Sequence, residues 1–263
     1  MSGPSKLGLA SSLREHRGAK LNVILPCAGK GTRLGLPYPK EMHLVAANTA
    51  LIDLTFRHLD EHRGDIDSVT VVLAPEKGSL VSYLEKWAGH FHLRYVYFND
   101  EYHEWAGSIL SSAPEFTDKN VVFLPDSLLE SRPEQPVVPA FRALLEDADA
   151  AFAYLPESRP EVLRNLGALR VQDGHVEAFC DKPDNGFDAY NAFWCAFGFR
   201  GSAGRPLLEA MTRSIQREPI DVAELGERVR AFSVNGYFDL GVWPNLHEYT
   251  ARLHAQAASG SAS

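Results

Sequence analysis

The stretch Leu21 to Val45, LNVILPCAGKGTRLGLPYPKEMHLV, limits the folds open to this chain more than any other. Leu21, Val23, Ile24 and Leu25 form an apolar run suited to a buried strand, and Pro26 ends it. The chain then passes straight into Gly29, Lys30, Gly31, Arg33 and Lys40. A strand that opens into a glycine-rich basic loop is how α/β proteins bring backbone N–H groups close to phosphates. Two common forms of such a loop are excluded. There is no GxxxxGK[ST], and Leu34 stands where GxGxxG needs its third glycine, which disfavours a nicotinamide-dependent oxidoreductase.

The first half of the chain alternates strand and helix. Apolar residues in Thr49–His62 follow a helical period, and helices are also predicted from Pro75 to about Trp87, from Gly107, and over Val137–Asp147. Between them, Ser68–Leu73, Leu93–Phe98, Asn120–Leu124 and Ala150–Leu155 read as strands. This predicts an α/β fold with a Rossmann-like, doubly wound, mostly parallel sheet. The loops after Leu25 and Leu124 both follow strand C-termini, where open α/β sheets bind ligands. The second half differs. Leu166–Val171 and His175–Phe179 flank Asp173-Gly174 and predict a β-hairpin. A strand at Phe193–Arg200, helices at Pro206–Arg217 and Val222–Arg230, a short strand at Ala231–Val234, a loop at Tyr237–Trp243 and a closing helix at Pro244–Ala255 follow. The expectation is a smaller β-rich lobe over the first half, with a cleft between them.

Charge narrows the partners. The 263 residues carry 26 basic and 34 acidic side chains, a formal net charge of −8. Such a chain is poorly suited to nucleic acid or an anionic membrane. A phosphate ligand must then be met by a local cluster, and Lys30, Arg33 and Lys40 are one. Cys27, Cys180 and Cys195 are odd in number and far apart, which suits a reducing cytoplasm better than a disulfide framework. No apolar run has the length of a bilayer span. Residues 1–19 lack an apolar signal core and are expected to be a flexible extension; residues 255–263, AQAASGSAS, are expected to be a disordered tail.

Other positions carry chemistry. Asp126 follows the strand NVVFLP, well placed for Mg²⁺, a hard cation that favours oxygen; a turn or helix cap is the alternative. Asp239, in YFDLG, is a second candidate carboxylate, or a turn residue beside Gly241. Lys182 precedes Pro183 at a strand end and could clamp a phosphate or simply face water. His58 and His62 lack an HExxH pattern, Ser108 and Ser127 lack GxSxG, and Cys27 reads as a small packed residue.

The motifs LPCAGKGTRLG…PK, LPDS, GALRV, FCDKP, YNAFWCAFGF and YFDLG, in this order over most of Leu21–Tyr249, resemble those of the sugar-phosphate nucleotidylyltransferases. The resemblance implies a nucleotidyltransferase domain over residues 20–254. It implies a Mg²⁺-dependent joining of an NTP to a sugar 1-phosphate, with release of pyrophosphate. Matched by position, Gly29, Gly31 and Thr32 would contact the nucleotide, with Pro26, Ala28, Lys30, Gly107, Ser108 and Asp126 beside it. Arg33 and Lys40 would hold its phosphates, and Asp126 and Asp239 would bind Mg²⁺. Lys182 would grip the acceptor phosphate, and Gly167, Asp181, Asn191 and Trp194 would line the sugar pocket. Arg33, Lys40 and Lys182 are thus the expected catalytic cations. The short gap from Arg33 to Lys40 resembles the cytidylyltransferase branch, and Phe98–Ser112 is similar to the phosphocholine and phosphonate cytidylyltransferases. A cytidylyltransferase acting on a phosphonate, phosphocholine or cyclitol phosphate is therefore one alternative. A non-catalytic nucleotide-binding regulatory domain is another. A homodimer is the default expectation for assembly.

Overall fold

The computed structural model describes residues 19–99, 104–215 and 217–260. Residues 1–18 of the expected N-terminal extension, Asp100–His103 within the Phe98–Ser112 stretch, and residues 261–263 of the expected tail lie outside them. In chain order the elements are β1 (Leu21–Pro26), β2 (Leu44–Ala46), β3 (Thr49–Ala50), α1 (Leu51–Asp60), β4 (Ile66–Leu73), α2 (Gly78–Leu84), β5 (Leu93–Tyr97) and α3 (Glu104–Leu110). Then come β6 (Lys119–Val122), β7 (Ser127–Glu130), α4 (Val137–Leu144), β8 (Ala150–Pro156), α5 (Pro160–Leu163), β9 (Gly167–Gln172), β10 (His175–Asp181) and β11 (Ala192–Arg200). The chain closes with α6 (Gly201–Ser214), β12 (Val229–Ser233), β13 (Gly236–Asp239) and α7 (Trp243–Gly260).

One nine-stranded sheet runs through the molecule in the order β5-β4-β1-β6-β11-β8-β12-β10-β9. Its first four strands are parallel, with Val23 of β1 opposite both Val69 and Val121. β1 is buried on both faces. Leu21, Val23 and Leu25 enter one core and Ile24 the other, as strand alternation requires.

From β11 onward the sheet departs from the expected mostly parallel form. β11 runs antiparallel to β6, β8 and β9, so the sheet is mixed. Its last residues pair with β6, while Ala192 and Phe193 pair with β9 on the same edge. That second pairing closes β11-β8-β12-β10-β9 into a small barrel. An irregularity between Trp194 and Ala196 bends β11 where it leaves the open sheet for the barrel. The β-rich lobe is thus hydrogen-bonded into the main sheet. Its hairpin forms as expected, with Asp173 and Gly174 both at positive φ, the backbone of a type I′ turn.

Three local expectations are corrected. The helix predicted over Val222–Arg230 is a single 3-10 turn, Val222–Glu224, because Gly226 at φ 139° breaks it and β12 begins at Val229. The loop predicted at Tyr237–Trp243 begins as β13, which pairs antiparallel with β7. The closing helix, expected over Pro244–Ala255, runs from Trp243 to Gly260.

Candidate active site

The loop after β1 turns on glycines. Gly31 and Gly35 sit at φ 66° and 60°, where a side chain would be strained. The N–H groups of Leu34 and Gly35 both reach the Gly31 carbonyl and close the turn. Leu34 is buried with Val45, Leu51, Leu240 and Leu246 in a small third core, and Trp243 Nε1 donates to its carbonyl at 3.0 Å. Among the described residues no acceptor takes the N–H groups of residues 28–33. A run of unpaired backbone donors at the C-terminal end of a parallel strand suits a phosphate chain. Pro26, Ala28 and Gly31 are half-buried at its base, and Gly29, Lys30 and Thr32 are exposed.

Two carboxylates meet this loop. Asp126 follows β6, and Asp239 ends β13. The β7–β13 pairing puts Asp239 opposite Ser127, and the Leu240 N–H donates to the Asp126 carbonyl at 2.7 Å. Tyr237 and Ser127 share a hydroxyl hydrogen bond of 3.0 Å across the same ribbon. Lys40 Nζ reaches Asp126 Oδ2 at 2.5 Å. Arg33 spans the pair, 2.7 Å from Asp239 Oδ2 and 3.6 Å from Asp126 Oδ2. Burial works against the charge on both cations, but Asp239 for Arg33 and Asp126 for Lys40 outweigh it, so each titrates above its ordinary value. The Lys40 stem lies 3.6 Å from where a Gly31 side chain would start, so the loop folds over it.

Gly241 leaves the space between these groups open. A Cβ there would lie 2.6 Å from Asp126 Oδ2, 2.6 Å from Arg33 and 2.9 Å from Asp239 Oδ1. The two carboxylates therefore converge on one point. Among the described residues no group of three His, Cys, Asp or Glu is placed to hold a metal. Two converging aspartates beside a phosphate-suited loop fit Mg²⁺, which is usually held by one or two carboxylates plus substrate phosphates.

The residues expected on the acceptor side gather on the barrel. Gly167 and Asp181 face each other across the hairpin. The Trp194 indole covers Gly167 so closely that a Cβ would fall 1.8 Å from its Nε1. Trp105 of α3 packs on Trp194 with ring centres 5.3 Å apart. Lys182 stands at φ 51°, rare for a residue with a side chain, and its side chain is exposed with no ion-pair partner among the described residues. Asn191 has a structural use: its amide donates to the Val171 carbonyl and accepts from the Val171 N–H. Ser108, beside Gly107 in α3, donates within its own helix to the Trp105 carbonyl.

Sequence patterns gave no sign of Glu41 and Lys77. Both are buried under the loop, with Lys77 Nζ on Glu41 and on the Cys27 carbonyl. Neither residue stands in a spacing that marks it, because the partners meet only in the fold. Cys27 is buried as expected, and burial followed by Glu41 pushes its thiol well up.

No protein-family model matches the chain, and no curated protein matches it in sequence. Solved structures do match in shape. A UDP-glucose pyrophosphorylase complexed with UDP-glucose superposes with a TM-score of 0.71 at 16% identity, covering 91% of this chain and 100% of that one. A UTP-bound UDP-glucose pyrophosphorylase of Acinetobacter baumannii gives 0.70 at 16% identity, covering 90% and 93%. A Bacillus anthracis structure assigned as a glucose-1-phosphate thymidylyltransferase, in complex with sucrose, gives 0.69 at 14%, covering 88% and 94%. The chain has the nucleotidyltransferase fold of these structures.

Proposed function

We propose that this nucleotidyltransferase-fold chain joins an NTP to a sugar 1-phosphate or a sugar-like phosphate and releases pyrophosphate. The observation that carries this is the convergence of Asp126, Asp239, Arg33 and Lys40 beside the unpaired N–H groups of residues 28–33. The loop would cradle the triphosphate while Arg33 and Lys40 neutralise it. Asp126 and Asp239 would hold Mg²⁺, which supplies further charge neutralisation at the phosphates. An oxygen of the acceptor phosphate attacks the α-phosphorus. The bond from that phosphorus to the β-bridging oxygen breaks, and pyrophosphate leaves. The attacking dianion needs no general base, so the protein's part is alignment and electrostatics. Lys182, in its rare backbone conformation, would orient the acceptor phosphate. Gly167, Asp181, Trp194 and Trp105 would shape the acceptor pocket. Three buried free thiols suit a cytoplasmic setting. No helix of the described residues is long and apolar enough to cross a membrane.

The test is a matrix of five NTPs against sugar, cyclitol, choline and alkyl phosphates and phosphonates, with Mg²⁺, read by pyrophosphate release. One productive pair establishes the reaction and names base and acceptor. Binding of NTP with no release from any acceptor would favour the regulatory alternative.

A further inference from the structure

We infer that Lys77 is a positioning residue for the nucleotide loop, fastening both of its ends with one buried ammonium; its meaning for nucleotide binding rests on the function proposed above. Lys77 closes the 3-10 turn Pro75–Lys77 just after β4, the strand beside β1. Its Nζ donates to the Cys27 carbonyl at 2.6 Å and to the two Glu41 oxygens at 2.9 and 3.0 Å. These three contacts match the three N–H donors of an ammonium. Cys27 is the first residue past β1, and its N–H is already held by the Val72 carbonyl of β4 at 2.8 Å. Glu41 neighbours Lys40 in the turn Lys40–Met42 and is fully buried. The two ends of the span from Cys27 to Glu41 are therefore tied to one side chain, while Leu34, Arg33 and Lys40 anchor it in between. That span holds Gly29, Gly31, Arg33 and Lys40.

The geometry gives the clamp a direction. In a trans peptide the carbonyl and the next N–H point opposite ways. With the Cys27 carbonyl drawn inward to Lys77, the Ala28 N–H is turned outward, the first of the unpaired donors. On the other side, Glu41 fixes the turn from which Lys40 reaches Asp126. Stability alone does not call for such a pair. Buried ion pairs are often matched or bettered by apolar residues of similar volume, which cannot aim a carbonyl or a carboxylate.

The experiment replaces both charges, Lys77→Met with Glu41→Leu, and reads order and binding separately. The double variant is expected to keep the wild-type circular dichroism, with a melting temperature lowered only by the loss of the one hydrogen bond to the Cys27 carbonyl. Backbone order parameters at Gly29 and Gly31 should fall from about 0.85 to below about 0.6 by NMR relaxation. Calorimetric Kd for NTP with Mg²⁺ should weaken on the order of tenfold to a hundredfold, as when partners that orient a ligand are removed. Should the double variant not fold, Glu41→Gln, which keeps shape and one acceptor, is expected to shift both readouts the same way by less. Unchanged order parameters in the folded variants, or a wild-type loop already below about 0.6, would overturn the clamp whatever the ligand. A wild type that binds no NTP, with order lost in the variants, would leave the clamp standing and remove the nucleotide function.

Discussion

Asp126 answers to two cations of different character. Lys40 is nearly buried beside it, while Arg33 is 56% exposed and leans mainly on Asp239. Their loss should therefore read out differently. Arg33→Ala is expected to fold normally and lose on the order of 10²–10³ in the rate of pyrophosphate release. Near-normal turnover by folded Arg33→Ala would sink its assignment to the triphosphate. Asp126→Ala should lose activity and also melting temperature, because it strands the Lys40 charge. The pH dependence follows from the raised Lys40 value. A group whose folded pKa is raised contributes fully below its unfolded value and loses that contribution as pH rises through the folded one. The melting-temperature gap between wild type and Lys40→Met should thus stay flat through neutral pH and shrink only above pH 10.5. At this scale the sequence was informative where chemistry is local. Cations in a glycine loop and aspartates near strand ends mark themselves. Glu41 and Lys77 do not, because a charge becomes unusual only once the fold has buried it.

The β7–β13 ribbon brings the two aspartates together, and it was the element least visible in advance. Each strand has four residues, and β13 is half-buried throughout, so neither shows the alternation that identifies a longer strand. The same limit applied at Val222–Glu224, where one turn and a following glycine resembled a helix. By contrast β1, β4 and β11 were legible because they are longer and largely apolar or β-branched. A testable element-level contact lies at the start of α5. Glu157 accepts from the Ser158 and Arg159 N–H groups and pairs with the Arg159 guanidinium. The Arg159 hydrogen bond, ahead of the two backbone ones, pushes the Glu157 carboxyl down to about 2. A lowered folded value means stability present above the unfolded pKa and lost as pH falls through the folded one. Glu157→Gln should therefore melt below wild type above pH 4.5, with the gap closing as pH approaches 2.

Across the whole molecule, β11 belongs to both the open sheet and the barrel. The barrel cannot melt without breaking the edge that also holds β6. One cooperative thermal transition is expected, with calorimetric and van't Hoff enthalpies equal. Phe197 marks the seam, fully buried and within ring contact of Trp105, Phe152, Trp194 and Phe199. Phe197→Ala should cost about 3–5 kcal/mol and lower that single transition without splitting it. A second, earlier transition would show that the barrel is separable. The parallel half was readable because its strands alternate with helices, and β1, β4 and β5 follow one another in the sheet as in the chain, with β6 added beside β1. The barrel was not, since it pairs β8 with β12, far along the chain, and closes through β11–β9 beyond an irregularity in β11 that no residue type announces.

The open space at Gly241 has one more consequence. Around it stand two positive and two negative side chains, each already satisfied by another. A lone metal ion would have to evict Arg33 or Lys40 with nothing to receive them. A lone triphosphate would take the cations and strand the aspartates. If the two arrived as a pair, each side chain could exchange its present partner for a new one of opposite charge. On the function proposed above the site would act as a coincidence detector: calorimetry should find Mg²⁺ and nucleotide each weak alone and mutually tightened together, with equal affinity alone and together refuting the exchange.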